Sequence, residues 1–249
     1  MKKEQICTLL KKEIPAENIF DFTVYAPEIA HSAQPGQFLH ILCGAGVFLR
    51  RPISICDATG DAVRFIFEVK GDGTRFLSER KPGDEINIMG PLGNTFIDGE
   101  FKRPAIIGGG IGVFPLYMLA KKLESPDIYL GFRSKDRVVM TEEFSALGNV
   151  RTATDDGSFG YKGFAAELLK ENIQKYDVIY ACGPQAMLAG VKKIAMEAGV
   201  PLRVSLEQRM GCGLGACLVC SCETVFDGTD KYKRVCKDGP VFWAGEVNI

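Results

Sequence analysis

Apolar and polar residues alternate with a period of two in several short stretches of the first 100 positions. Asn18–Tyr25 reads NIFDFTVY and Ala62–Val69 reads AVRFIFEV. A period of two turns one face of a strand inward and the other outward. Two further strand-like runs, Gln37–Leu42 and Glu85–Met89, follow the turns Pro35-Gly36 and Lys81-Pro82-Gly83-Asp84. About six strands at this spacing predict a small antiparallel barrel over residues 4–98. At Arg103-Pro104 the pattern changes. The apolar run Ala105-Ile106-Ile107 enters Gly108-Gly109-Gly110, a helical pattern covers Phe114–Leu123, and a second strand covers Asp127–Phe132. Val138–Leu147, Val150–Thr154, Gly163–Glu171 and Asp177–Ala181 continue the alternation. Ala186–Ala198 reads as a helix stopped by Gly199 and Pro201. Strands alternating with helices predict a parallel α/β sheet of Rossmann type. The expected organisation is a β barrel at 1–100, an α/β domain at 101–206 and a cysteine-rich segment at 207–249, whose own core is too small to stand alone.

That last segment carries the most specific chemistry. Cys212, Cys217 and Cys220 have the spacing C-x4-C-x2-C, and Cys236 follows after a gap of fifteen residues. This is the order of a plant-type [2Fe–2S] site, in which a tight loop wraps three thiolates around the cluster and the fourth arrives from a distant strand. Gly211, Gly213 and Gly215 suit such a loop, because glycine reaches positive φ and lets backbone N–H groups approach sulfur. Cys222 is left over. A four-cysteine zinc site would use two C-x2-C knuckles and only one is present. A disulfide framework fits poorly with nine cysteines and no secretion signal.

Bulk properties narrow the classes. The net charge of −1 provides no electrostatic footprint for nucleic acid or anionic membrane. The start, Met1-Lys2-Lys3-Glu4, has no apolar core of a signal peptide, and no run of about 18 apolar residues predicts a membrane helix. Cys7, Cys43 and Cys56 read as small buried hydrophobes, in keeping with a reducing cytoplasm. Only His31 and His40 are present, which argues against a histidine-centred site. His40 lies in a strand-like stretch and reads as structural.

Four further motifs bear on ligands. Arg51-Pro52-Ile53-Ser54 offers a guanidinium fork that matches phosphate oxygens, on a loop stiffened by proline. Gly71-Asp72-Gly73-Thr74 precedes a helical stretch, where backbone N–H groups form an anion cradle or an ordinary turn, with Thr74 as a cap. Gly110-Ile111-Gly112-Val113-Phe114-Pro115 reads G-x-G-x-x-P between a strand and a helix, a place suited to a dinucleotide. No acid ends the second strand; Arg133 and Ser134 stand there. Tyr180-Ala181-Cys182-Gly183-Pro184 again joins strand to helix, at the carboxyl edge where parallel sheets bind ligands.

In this order the four motifs resemble the ferredoxin-reductase family, with Ile53 where that family commonly has an aromatic residue. Together with Gly90-Pro91-Leu92-Gly93-Asn94, the cysteine block and Val235–Phe242, the chain resembles over its whole length the family of electron-transfer subunits of NAD-dependent (class B) dihydroorotate dehydrogenases. The resemblance implies FAD held by Arg51, Pro52, Ile53, Ser54, Ile66, Phe67, Glu68, Gly73 and Thr74. It implies a [2Fe–2S] cluster on Cys212, Cys217, Cys220 and Cys236. NAD would lie across Gly108, Gly109, Gly110, Ile111, Gly112, Cys182, Gly183 and Pro184. It also implies an FMN-containing catalytic partner subunit that carries the dihydroorotate site, in a heterotetramer of two plus two, and an oxidoreductase function in pyrimidine biosynthesis. The same architecture serves subunits of ferredoxin:NADP oxidoreductases and sulfide dehydrogenases, and Arg133 could accommodate a 2′-phosphate. A non-catalytic module stapled by zinc is the alternative of another class, and it leaves Arg-Pro-Ile-Ser and G-x-G-x-x-P unexplained.

Overall fold

The computed structural model describes residues 4–44 and 46–249; the first three residues of the chain's start lie outside them. Strands β1 (Glu4–Ala16), β2 (Ile19–Tyr25), β3 (Phe38–Ile41), β4 (Arg51–Thr59), β5 (Ala62–Glu68) and β6 (Glu85–Leu92) close into an antiparallel barrel in the order β1-β2-β5-β4-β3-β6. Short helices α1 (Pro27–Ala30) and α2 (Asp72–Ser78) connect them. The alternation predicted for β2 and β5 is what fills the barrel. Phe22, Val24, Val63 and Phe65 point inward beside Leu9, Leu39, Ile55 and Ile88. Fully burying such side chains contributes about 1.5–3 kcal/mol each. β1 is the longest strand, yet its pattern is not legible. Register shifts at Leu9/Lys11 and Glu13/Ala16 break the period of two, and Ile6, Leu10 and Ile14 face outward.

The second unit runs β7 (Pro104–Gly109), α3 (Phe114–Ala120), β8 (Asp127–Phe132), α4 (Thr141–Ser145), β9 (Asn149–Thr154), β10 (Tyr161–Lys162), α5 (Ala165–Asn172), β11 (Val178–Cys182), α6 (Gln185–Ala198) and β12 (Leu202–Ser205). The sheet order is β10-β9-β8-β7-β11-β12-β15, and all pairs are parallel except the last. The order reverses between β7 and β11, and in open α/β sheets ligands bind at such a switch point. Among the described residues no helix is long and apolar enough to cross a membrane.

The cysteine segment supplies β13 (Ser221–Glu223), β14 (Tyr232–Arg234) and β15 (Val241–Trp243). β13 and β14 form a hairpin, and β15 returns to pair antiparallel with β12. Cys220, Val235, Cys236 and Phe242 are buried in one core with Ile107, Ala181 and Leu202. A segment too small for its own core thus shares that of the sheet. The barrel and the sheet are also joined. Ile19, Cys56 and Ile66 pack with Ile106, Val113 and Phe114. Arg64 on β5 grips the buried Asp21 at 2.6 Å and Glu143 of α4 at 2.5 Å.

Candidate functional site

Pairing between β4 and β5 covers Ile55–Thr59 against Ala62–Phe65 and does not continue toward the start of β4. There Arg51–Ser54 pair only with β3, and Ile66–Glu68 pair only with β2. The barrel wall therefore has a slot. One lip is Arg51, Pro52, Ile53 and Ser54; the other is Ile66, Phe67 and Glu68. Backbone groups on both lips lack ladder partners across it. Ile66 and Phe67 turn their side chains into the core, Phe67 stacking on Phe20 with centroids 5.7 Å apart. Their contribution to the slot is therefore main-chain.

α2 starts at the end of the slot. A Cβ on Gly73 would stand 2.7 Å from Arg51 Nε, so only glycine lets the guanidinium lie on the first turn of this helix. Arg51 donates to Leu49 O and has no carboxylate partner among the described residues. An arginine free of carboxylates beside a helix start has the donors that a pyrophosphate needs. Thr74 is not the helix cap expected from the sequence. Gly71 holds that place, and Thr74 Oγ1 reaches back to accept from the N–H groups of Lys70 (2.9 Å) and Gly71 (3.2 Å). Its hydroxyl therefore shapes the loop.

Against Glu68 at the end of β5 lies a cleft of about 710 Å³, within the range usual for ligand sites. Gly109, Gly110, Ile111 and Gly112 line it together with Gly183, Pro184, Phe132, Arg133 and Glu68. The two glycine turns touch. A Cβ on Gly112 would meet Cys182 O at 2.5 Å, and one on Gly109 would meet Pro184 Cδ at 3.1 Å. Gly110 has φ +55°, in the left-handed region. These constraints hold the turn close to the switch point. Gly108 and Cys182 sit behind it, buried. Burial, with Glu207 nearby, pushes the Cys182 thiol well up, so it stays protonated. Asp136, which the sequence reading missed, also lines the cleft. Its carboxylate accepts from Ser134 Oγ at 2.6 Å. An acid was sought at the strand end, and this one stands beyond it on a short turn. Arg137 is paired with Glu68 across the cleft mouth.

The four cysteines fall into two close pairs. Cys212 N–H donates to Cys217 Sγ at 3.3 Å, and Cys236 N–H donates to Cys220 Sγ at 3.4 Å. A lone zinc needs all four sulfurs about 2.3 Å from one point. Two pairs suit two irons joined by sulfide, and the donor set thus fits a [2Fe–2S] group. Burial raises Cys212, but N–H groups of Leu214, Cys217 and Ala216 outweigh it and bring the thiol down to about 6. Burial and Cys220 push Cys236 up to about 12. Gly213 (φ +70°) and Gly215 (φ +82°) make the turn as predicted. Leu218 (φ +61°) shares that conformation, and Gly211 does not. Cys236 comes from the turn after β14, not from a strand. Cys222, on β13, is buried in the same core as Cys220 and Cys236.

The cysteine loop rests on the barrel. A Cβ on Gly213 would stand 2.6 Å from Nδ1 of His40 on β3. Burial, with Arg50 beside it, lowers His40 to about 4. The cysteine loop thus meets β3, which pairs with the Arg51–Ser54 lip of the slot, and Glu68 of the other lip lines the cleft.

A sequence profile of the iron-sulfur cluster binding domain of dihydroorotate dehydrogenase B matches residues 207–248. The chain is 45% identical over 213 residues, 86% of each chain, to the dihydroorotate dehydrogenase B (NAD(+)) electron transfer subunit of Caldanaerobacter subterraneus subsp. tengcongensis. It is 42% identical to that of Geobacillus sp. (strain WCH70), covering 99% of both chains. Among solved structures it is similar to the NADH-dependent reduced ferredoxin-NADP oxidoreductase studied for flavin-based electron bifurcation. The TM-score is 0.88 and the identity 32%, covering 100% of this chain and 91% of that one. With 42% identity across nearly the full length of both chains, this chain belongs to the family of dihydroorotate dehydrogenase B (NAD(+)) electron transfer subunits.

Proposed function

We propose that this chain relays electrons to NAD⁺ from dihydroorotate, which is oxidised to orotate on the FMN of a partner catalytic subunit, as a step in UMP biosynthesis. It is an oxidoreductase subunit with no dihydroorotate site of its own. The observation that carries the reading is a chain of contacts: the cysteine loop meets His40 of β3, β3 pairs with the Arg51–Ser54 lip of the slot, and Glu68 of the other lip lines the nicotinamide cleft.

The bound groups supply the redox chemistry, since a [2Fe–2S] cluster passes single electrons, a nicotinamide takes hydride, and FAD does both. The chain's residues hold and order them. Cys212, Cys217, Cys220 and Cys236 are the cluster thiolates. Arg51 and the Gly73–Thr74 turn bind the FAD pyrophosphate. Ser54 and the main chain of Ile66–Glu68 edge the ring, beside Pro52 and Ile53. Gly108–Gly112 and Cys182–Pro184 form the floor for NAD. In these terms residues 1–100 serve FAD, 101–206 serve NAD and 207–249 serve the cluster. The assembly has two subunits of each kind. Nine free cysteines support a reducing, cytoplasmic setting.

A Cys220→Ser variant tests the order. It is expected to lose dihydroorotate:NAD⁺ turnover in the complex while keeping NADH-driven reduction of an artificial dye. Loss of dye reduction with FAD still bound would sink it. The similarity to the bifurcating oxidoreductase supports a second reading, in which ferredoxin or NADP(H) replaces the pyrimidine. Anaerobic bleaching of the complex by dihydroorotate separates the two, because only the first reading predicts it.

A further inference from the structure

His40 is fully enclosed, at 0% exposure, yet neither ring nitrogen has a hydrogen-bond partner among the described residues. A neutral imidazole carries one N–H donor and one acceptor, and a buried donor without a partner destabilises the fold. A leucine would fill this place in β3 without that cost, so packing alone does not account for a histidine. The surroundings indicate what is missing. Across the ladders His40 faces Pro52 of β4 and Met89 of β6, neither of which offers a side-chain acceptor of ordinary strength. Its carbonyl is already taken by Arg50 at 3.1 Å. The ring lies against Gly213, so closely that a Cβ there would be 2.6 Å from Nδ1 and 3.1 Å from Cε1. Gly213 follows Cys212, whose Sγ already receives N–H groups from Leu214 and Ala216 at 3.3 Å each. The loop is arranged to donate hydrogen bonds toward sulfur, and His40 holds an unused donor packed against it from the barrel.

We infer that the His40 ring N–H donates to a sulfur of the [2Fe–2S] group, making His40 a positioning residue that ties the cysteine loop to β3, the strand paired with the Arg51–Ser54 lip of the flavin slot. The inference rests on the cluster assignment under the proposed function. A donor to sulfur stabilises the reduced cluster, because the added electron increases negative charge on the sulfurs. Removing it lowers the cluster's reduction potential.

The test uses the complex with its catalytic partner, as wild type, His40→Leu and His40→Gln, the last keeping an N–H donor of similar reach. Each is reduced stepwise, with the cluster followed by EPR and the flavins by visible absorption. His40→Leu is expected to retain the cluster signal and to shift its one-electron equilibrium about tenfold toward the oxidised form, about 59 mV. The flavin midpoints stay in place, and His40→Gln recovers most of the shift. An unchanged cluster potential in His40→Leu would overturn the inference. So would a shift confined to the flavin, or loss of the cluster in both variants, which would make His40 a packing residue only. A wild-type complex without any cluster signal would instead overturn the proposed function.

Discussion

Asp136 stands four residues past the end of β8, and a hydrogen bond from Ser134 holds its carboxylate at the cleft. A carboxylate there accepts from a ribose 2′-hydroxyl and repels a 2′-phosphate. Arg137 is committed to Glu68, and Arg133 and Lys70 are exposed cations lining this cleft. Asp136→Ala is therefore expected to raise the kcat/KM ratio of NADPH to NADH by about tenfold, roughly 1.4 kcal/mol, in dye reduction. An unchanged ratio would show that Asp136 does not discriminate. At this scale the sequence was legible where backbone sterics dictate residue type. Gly73, Gly109, Gly112 and Gly213 each lie where a Cβ would strike a neighbour within 2.7 Å, and all four were singled out. Asp136 and His40 were not legible as site residues. Their significance depends on which side chain of another element they meet, and spacing along the chain does not carry that.

The turn after β14 shows how an element places a ligand. Arg234 closes it on Asp238 through Nε at 2.9 Å and through its backbone N–H at 2.8 Å, with Cys236 between them. The Arg234 guanidinium holds the Asp238 carboxyl below the usual range. A carboxyl lowered on folding favours the folded state above its unfolded pKa of about 3.9, and that preference disappears as the pH falls through the folded value. Thermal melts of the apo chain should therefore show wild type more stable than Asp238→Asn at pH 6, with the gap narrowing as the pH falls below the unfolded pKa of about 3.9. A constant gap would assign the loss to packing. Elements with regular periodicity, such as β2, β5, β8 and α6, were readable from the chain. β1 was not, because bulges interrupt its alternation, and the position of Thr74 was misread because α2 begins earlier than its glycines suggest.

The whole molecule depends on how the barrel meets the sheet. Arg64 joins buried Asp21 to Glu143 and lies over Tyr117, 5.8 Å from its ring centre. Removing one member of a buried ionic group leaves the other unpaired, at a cost of about 3–5 kcal/mol. Arg64→Met should cost about 3 kcal/mol, the lower end, since Arg64 is partly exposed. Urea unfolding of the flavin-loaded chain measures it, and a loss under 1 kcal/mol would refute the role. The two-unit architecture was legible because the hydrophobic period changes once. The contacts between the units were not, since they join residues such as Arg64 and Glu143 that are 79 positions apart.

β15 belongs to the cysteine segment yet completes the edge of the sheet beside β12. The segment that brings the cluster ligands therefore also closes an otherwise open row of backbone donors and acceptors on β12. A truncated chain ending before Val241 would be a sticky, unfinished sheet, not a free-standing flavin reductase. Closure of the sheet edge and completeness of the electron path are thereby tied to one and the same segment.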